Sequence, residues 1–318
     1  MTRSSRTAVA PRNIVTGAFG FTGKHIVRLL LARGEEVRTL TSHPDPNSVL
    51  AGSIEVAPLD FTRPEELAGS MAGAEVLYNT YWVRFERGEV THDVAVRNTG
   101  ILVRAAEQAG LRRIVHVSVS NPSLNSPLPY FRGKAEAEQH VRDSRLSHAI
   151  LRPALFFGGE DILINNIAWL LRSVPVFAIP GDGQYRVQPI FIEDMAEMAV
   201  DAAAETSSFT LDAVGPEIYR YDDLVRLIAD TIGSTSRIMH VPPGLMSLAS
   251  RIVGHFVNDV VLTKDEVTAL MADLLVSSQP PTARTGLRAW LAANAARVGV
   301  TYASELARHY VATSKVAS

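Results

Sequence analysis

Short apolar runs alternate with longer amphipathic stretches along the first half of the chain. The runs Asn13–Thr16 and Glu36–Thr41, for example, flank the helical pattern Thr22–Ala32. This rhythm is typical of βαβ units that build a parallel sheet. We therefore predict an α/β fold with an open, doubly wound parallel sheet. Its other strands are predicted at Ile54–Pro58, Val76–Thr80, Ile114–Val119 and His148–Arg152, and its other helices at Val90–Ala109 and Gly133–Asp143.

The pattern changes after Pro153, where a cluster of breakers, 156–159, precedes several prolines and glycines. We predict a flexible tail over residues 1–11, a first domain over 12–153 and a smaller α+β lobe over 154–318. The helices expected in this lobe are Leu163–Arg172, Ile192–Ala204, Tyr221–Ile232, Lys264–Leu275 and Ser304–Val311.

Composition narrows the chemistry that the chain can perform. With 47% hydrophobic and 20% charged residues the chain is of the globular type, and a net charge of -2 argues against nucleic-acid binding. The absence of cysteine excludes thiolate catalysis and cysteine-ligated metals, and the histidines show no metal-binding spacing. No apolar stretch is long enough for a membrane span, and the first residues lack a secretory signal, so we expect a cytoplasmic protein without a resident metal.

A glycine-rich turn follows the first predicted strand and begins the first predicted helix. It reads Gly17-x-x-Gly20-x-x-Gly23, and residues without a Cβ allow a sharp bend and close approach of backbone amides to a pyrophosphate. A P-loop is excluded because five residues separate Gly17 from Gly23 and His25 follows Lys24. We interpret the turn as a Rossmann dinucleotide site, ahead of a tight turn that holds no ligand. Its expected cofactor-binding residues are Gly17, Phe19, Gly20, Phe21, Thr22 and Gly23.

The end of the second strand bears on the choice of cofactor. The acid that would bind the ribose hydroxyls of NAD is missing there, and Asp45, between two prolines, is a poor substitute. Thr41, Ser42 and His43 can instead donate hydrogen bonds to a 2′-phosphate, although no arginine lies at the strand end. The sequence therefore favours NADP(H) over NAD(H).

A phenol and an ammonium follow one helical turn apart, at Tyr130 and Lys134. A nearby cation lowers the pKa of a tyrosine and so suits it to exchange a proton. Ser118 and Ser120 end the preceding strand, at the sheet edge where ligands of open α/β sheets bind. A surface tyrosine with a solvated lysine, and serines that only cap the strand, are the alternative interpretation.

Together these residues resemble the extended and atypical branch of the short-chain dehydrogenase/reductase superfamily. The matching motifs are the glycine turn, Leu59-Asp60, Asn79, Tyr130-x-x-x-Lys134 and Leu151-Arg152-Pro153. The resemblance implies that Asp60 and its neighbour Phe61 contact adenine, that Asn79, Thr80 and Tyr81 line the cofactor cleft, and that Pro153 lies near the nicotinamide. It implies acid–base chemistry for Tyr130 and binding of the nicotinamide ribose for Lys134.

Two departures keep alternatives open. Val119 separates Ser118 from Ser120, so the serine that would polarise a substrate stays undecided. Within the branch, the chain is similar to proteins like the nucleotide-binding accessory subunit of mitochondrial complex I, which bind a dinucleotide without evident turnover. We expect an NAD(P)(H)-dependent oxidoreductase, of the reductase or epimerase/dehydratase kind, acting on an unidentified small molecule. The alternative is a non-catalytic subunit, assembly factor or redox-sensing regulator with a protein partner.

Overall fold

The structure is a computed structural model, and it describes residues 12–244 and 263–304. The tail predicted over 1–11 lies outside the described residues, as does the helix predicted over 304–311 apart from its first residue. In chain order the strands are β1 (Asn13–Thr16), β2 (Val37–Thr41), β3 (Glu55–Pro58), β4 (Val76–Asn79), β5 (Arg113–Val117), β6 (Ser147–Pro153), β7 (Leu155–Phe157), β8 (Val176–Pro180), β9 (Arg186–Val187), β10 (Pro189–Phe191), β11 (Phe209–Ala213), β12 (Tyr219–Arg220) and β13 (Arg237–Val241). The helices are α1 (Phe21–Ala32), α2 (Pro64–Ser70), α3 (His92–Gln108), α4 (Pro129–Arg142), α5 (Leu163–Ser173), α6 (Ile192–Ala202), α7 (Tyr221–Ile232), α8 (Lys264–Met271) and α9 (Leu287–Asn294).

A seven-stranded sheet has the order β11-β6-β5-β4-β1-β2-β3. The pairs β1–β2, β2–β3, β1–β4, β4–β5 and β5–β6 are all parallel. Parallel strands buried on both faces are mostly apolar, and β4 and β5 are buried at every position. The predicted doubly wound α/β fold is confirmed.

One face of this sheet packs against α2, α3 and α4. The buried sheet residues Ile14, Leu77 and Ile114 belong to one apolar cluster with Leu102 of α3 and Val141 of α4. Local sequence also sets where α3 begins. The side chain of Thr91 caps this helix by accepting a hydrogen bond from Val94 N at 3.2 Å. The short helix α2, which begins with Pro64, was not predicted.

The contacts group the chain into two units, each made of several segments. The first comprises residues 1–118, 133–151 and 196–210, and the second comprises 119–132, 152–195 and 211–318. The division at residue 153 stays a prediction of the sequence, since the units exchange segments along the chain.

The second unit has its own apolar core. Phe157, Ile167, Ile179, Leu224 and Leu291 are buried together there. Small sheets flank this core, formed by β10–β7, β12–β9 and β13–β8. Within residues 12–244 and 263–304, no helix is both apolar enough and long enough to cross a membrane.

A fully buried arginine fixes the amino end of β5 in the first unit. Arg113 donates from Nε to the carbonyl of Ala202 at 2.7 Å, and from Nη1 to the Ser207 carbonyl at 3.0 Å and to Ser147 Oγ at 3.1 Å. Ala202 ends α6, so the guanidinium also lies at the negative end of a helix. Burial lowers the pKa of Arg113, and these acceptors offset the cost of burying its charge.

Replacing Arg113 by methionine is expected to destabilise the protein by roughly 2 to 4 kcal/mol, because it leaves buried acceptors unpaired. The adjacent Arg112 is the matched control, since its side chain is 45% exposed and its Nη2 bonds the carbonyl of Ala203. Arg112→Met should cost less than about 1 kcal/mol. Urea denaturation of both variants measures the difference, and equal losses would contradict the role assigned to Arg113.

Candidate dinucleotide site

The strand order reverses at β1, whose neighbours in the sheet are β2 and β4. In open α/β sheets such a switch point leaves a crevice outside the carboxyl ends of the strands. Thr16 ends β1 and Asn79 ends β4, so the residues after these two positions border the crevice.

The side chain of Thr16 joins the two strand ends. Its Oγ1 accepts hydrogen bonds from Thr80 N at 2.8 Å and from Tyr81 N at 3.1 Å. In return Thr80 Oγ1 donates to the Thr16 carbonyl at 2.6 Å. These bonds place Thr80 and Tyr81, both predicted to line the cofactor cleft, directly beside the glycine turn.

Asn79 and His116 support this junction from inside the core. Both residues are 0% exposed, and Asn79 Nδ2 lies 3.0 Å from His116 Nδ1. Burial lowers the pKa of His116 to about 3, so the ring is neutral and Nδ1 accepts the amide hydrogen. Asn79 Oδ1 accepts from Tyr81 N at 3.0 Å. The predicted ligand contact of Asn79 stays a prediction, and its observed bonds hold the strand ends together.

The glycine turn has the geometry that close packing of strand and helix demands. Gly17 has a φ of +66°, in the left-handed region, and its amide donates to the carbonyl of Leu40 at 3.2 Å. A Cβ on Gly23 would lie 2.2 Å from the Gly17 carbonyl oxygen, which only glycine avoids. Helix α1 begins at Phe21 without a side-chain cap on Gly20. Its N-terminal end therefore suits an anionic group such as a pyrophosphate.

A surface pocket of about 410 Å³ adjoins the turn. It is lined by Phe19, Pro44, Asp45, Pro46, Ala51, Gly52 and Val56. Asp45, which sequence reasoning set aside, is thus part of the lining; the prolines on either side of it were the available signal. At the end of β2, Thr41 Oγ1 accepts from His43 N at 3.0 Å, and Ser42 Oγ lies 2.9 Å from His43 Nδ1.

Asp60 and Phe61 follow β3, where the resemblance implied adenine contacts. Hydrogen bonds from Thr62, the hydroxyl above all, and from Arg63 lower the pKa of Asp60 to about 2. The carboxylate is therefore ionised and already partnered at neutral pH. The ring of Phe61 packs against Tyr81, with centroids 4.9 Å apart.

Lys134 is enclosed within the first unit. The residue is 3% exposed, and its Nζ donates to the carbonyl of Val117 at 2.9 Å and lies 4.5 Å from the Trp82 ring centroid. Burial lowers its pKa to about 7, although nearby Glu138 acts to raise it. Tyr130 lies four residues earlier on α4 and belongs to the second unit, where it packs with Phe131.

The two candidate serines donate their hydroxyl hydrogens within the protein. Ser118 Oγ donates to Glu138 Oε1 at 2.5 Å, and Ser120 Oγ donates to the Leu274 carbonyl at 2.6 Å. Glu138 is 0% exposed and also accepts from Arg142 at 2.8 Å. Sequence reasoning missed Glu138, although its position one helical turn after Lys134 was a signal.

Pro153 and Tyr81, two more of the predicted cofactor-binding residues, also have partners within the protein. The carbonyl of Pro153, predicted to lie near the nicotinamide, accepts a hydrogen bond from Ser120 N at 2.8 Å. Tyr81 Oη accepts from Asn98 Nδ2 at 2.9 Å, so the tyrosine keeps its own hydrogen to donate. In the described part of the chain, no group of three or more His, Asp or Glu side chains could hold a metal ion.

Comparison with known proteins relates part of the chain to a family. A family model described as NAD(P)H-binding matches residues 17–164, which contain the glycine turn, β4 and Lys134. Residues 17–164 of the chain are therefore similar to a family of NAD(P)H-binding proteins.

Two relatives are similar to the chain in sequence, and one solved structure is similar to it in fold. NADH dehydrogenase (ubiquinone) 1 alpha subcomplex subunit 9 of Arabidopsis thaliana is 26% identical over 285 residues, 83% of this chain and 70% of that protein. Photosystem II assembly factor Ycf39 of Cyanidium caldarium is 25% identical over 76% of this chain and 78% of that protein. Triphenylmethane reductase of Citrobacter sp., complexed with NADP(H), shares the fold with a TM-score of 0.72 at 18% identity, covering 89% of this chain and 99% of that one.

The glycine turn yields a direct prediction. Gly23→Ala should lower NADPH affinity by at least roughly tenfold and destabilise the protein by about 1 to 3 kcal/mol, because the new methyl group pushes α1 away from Gly17. Gly69→Ala in α2 is the control, since a Cβ there meets nothing within 4 Å. Calorimetric titration with NADPH measures the effect, and unchanged affinity in the Gly23 variant would place the ligand elsewhere.

Proposed function

We propose that the protein holds NADP(H) at the switch point between β1 and β4 and acts as a dinucleotide-binding subunit or assembly factor. In this role the bound dinucleotide is retained rather than consumed. The observation that carries the proposal is the use of the serine hydrogens, which Ser118 gives to Glu138 and Ser120 gives to the Leu274 carbonyl.

A carbonyl reductase needs hydrogen-bond donors for the substrate oxygen, and in this arrangement the two candidate serines do not offer them. When hydride reaches a carbonyl carbon, negative charge develops on the oxygen, and enzymes stabilise it with preorganised hydrogen-bond donors. A serine hydroxyl has one hydrogen to give. Both candidate serines donate theirs to acceptors within the protein, so neither is available to a substrate without rearrangement. Lys134 differs, because its ammonium has three hydrogens and the Val117 carbonyl accepts one of them.

The names of two relatives agree with a role in assemblies. One is named as a subunit of NADH dehydrogenase and the other as a photosystem II assembly factor. We extend from them only the class of role, which is taking part in a protein assembly. The cytoplasmic location expected from the sequence stays a prediction, and fractionation of cells that express the chain would test it.

A second candidate function is hydride transfer with Tyr130 as the acid–base. It is favoured by the spacing of Tyr130 and Lys134 on α4 and by the lysine pKa of about 7, which lets Lys134 change protonation near neutrality. A bound dinucleotide would supply or accept the hydride in that reaction. Tyr130 would donate or accept the proton, and Lys134 would bind the ribose.

Turnover assays separate the two functions. We expect the purified protein to bind NADPH tightly but to show no sustained NADPH oxidation with aldehyde, ketone or quinone substrates. We also expect Tyr130→Phe to bind NADPH within about twofold of the unaltered protein, because a retained ligand does not need the phenol as an acid. Steady turnover that Tyr130→Phe abolishes would establish the second candidate and overturn the first.

The choice between NADPH and NADH depends on the pocket beside the turn. The hydroxyls and imidazole after β2 favour a 2′-phosphate, whereas the Asp45 carboxylate in the lining opposes it. Asp45→Asn should therefore tighten NADPH relative to NADH by roughly fivefold, the effect of one charge at close range. Asp93→Asn, at the first turn of α3, is the control. A ratio of affinities unchanged by Asp45→Asn would remove this pocket from the adenosine site.

A further inference from the structure

The ammonium of Lys134 lies between a carbonyl group and an aromatic face. Val117 accepts one of its hydrogens at 2.9 Å, and the Trp82 ring centroid is 4.5 Å from Nζ. The lysine is 3% exposed, so water does not solvate its charge. An aromatic face attracts a cation through its quadrupole, and the attraction is strongest when the cation is desolvated, as it is here.

The indole ring of Trp82 packs against residues of α3 and α4. Its ring stacks on His92 of α3, with centroids 6.1 Å apart and planes 9° from parallel. On the side of α4, a Cβ on Gly133 would lie only 3.2 Å from Cη2 of the indole, so the glycine leaves the space that the ring occupies. Trp82 also directly follows Tyr81, whose amide bonds to Thr16 at the switch point.

We propose that Trp82 is a positioning residue for Lys134, whose indole face keeps the ammonium charged and in place at the carboxyl end of β5, so that dinucleotide binding depends on Trp82 through the lysine. This inference rests on the proposed function, because it takes Lys134 to contribute to NADPH binding.

The other titratable groups near Lys134 stabilise its charged form only in part, and the indole face contributes to the rest. On α4, Glu138 favours the ammonium, but it is shared with Arg142 and with the hydroxyl of Ser118. On β5, His116 is neutral at physiological pH, and on α3, His92 stacks on the indole. Desolvation opposes the charge and lowers the lysine pKa to about 7. Loss of the aromatic face should lower it further.

Nuclear magnetic resonance of the ligand-free protein tests the contact directly. The lysines of the chain are Lys24, Lys134, Lys264 and Lys315, so lysine labelled at Cε gives few signals, and Lys134→Met assigns the one of interest. We expect the Lys134 Hε signals to lie upfield because of the indole ring current, and Trp82→Leu to remove that shift. The lysine pKa should fall by roughly 0.5 to 1.5 units in Trp82→Leu and by less in Trp82→Phe, while Lys264 does not change.

Titration of NADPH across pH then links the contact to binding. An anionic ligand prefers the charged lysine, so affinity should be highest below the lysine pKa and fall as pH rises through it. Relative to the unaltered protein, Trp82→Leu should bind NADPH roughly threefold to thirtyfold more weakly at pH 8, from the same shift in pKa. The difference should shrink to about twofold or less at about pH 5.5, where the lysine is at least half charged in both proteins. Trp82→Phe should recover most of the affinity.

The outcomes distinguish this inference from the proposed function. An unshifted Lys134 signal, or the same lysine pKa in Trp82→Leu and the unaltered protein, would overturn the inference whether or not NADPH binds. A loss of affinity in Trp82→Leu that is equal at all pH values, or that persists in the Lys134→Met background, would assign Trp82 a structural role only. Failure of the unaltered protein to bind NADPH would instead refute the proposed function, and the lysine titration would still test the contact.

Discussion

The hydroxyl of Thr16 ties together the two strand ends on which the site depends. It accepts the amides of Thr80 and Tyr81, while Thr80 returns a hydrogen bond to the Thr16 carbonyl. These bonds cross from β1 to β4 where the strand order reverses, the place at which a doubly wound sheet offers a crevice. Because the glycine turn begins at the next residue, its position relative to β4 follows from this junction.

Hydrogen bonds between buried polar side chains continue from this junction into the core of the first unit. Asn79 links Thr16 to the neutral ring of His116. Lys134 of α4 bonds to Val117 at the end of β5, and Glu138 of α4 bonds to Ser118, the next residue. A buried polar group without a partner is costly, so each of these side chains is committed to a protein acceptor or donor. Such commitments stabilise the fold of the first unit, and they are also what limits the chemistry that its serines and lysine can offer to a substrate.

Much of the architecture was predictable because it depends on local pattern. Periodicity located β1 to β6 and most helices within a few residues, and the glycine spacing located the tight turn between β1 and α1. The contacts that decide function were not predictable, because they join residues distant in sequence. No spacing in the sequence indicates that Ser120 bonds the Leu274 carbonyl, that Trp82 contacts Lys134 or that Asp45 lines the pocket. Among these residues, only Glu138 could have been found from the sequence, because it lies one helical turn after Lys134.

The proposed function depends on where a nicotinamide dinucleotide binds and on whether the surrounding side chains keep their hydrogen bonds when it does. A crystal structure of the protein grown with NADPH tests this most directly. We predict the pyrophosphate at the start of α1 beside Gly20 and Gly23, the adenosine in the pocket lined by Phe19 and Asp45, and the hydroxyls of Ser118 and Ser120 still bonded to Glu138 and Leu274. Density for the ligand away from the switch point, or both serines turned towards the nicotinamide, would contradict the account.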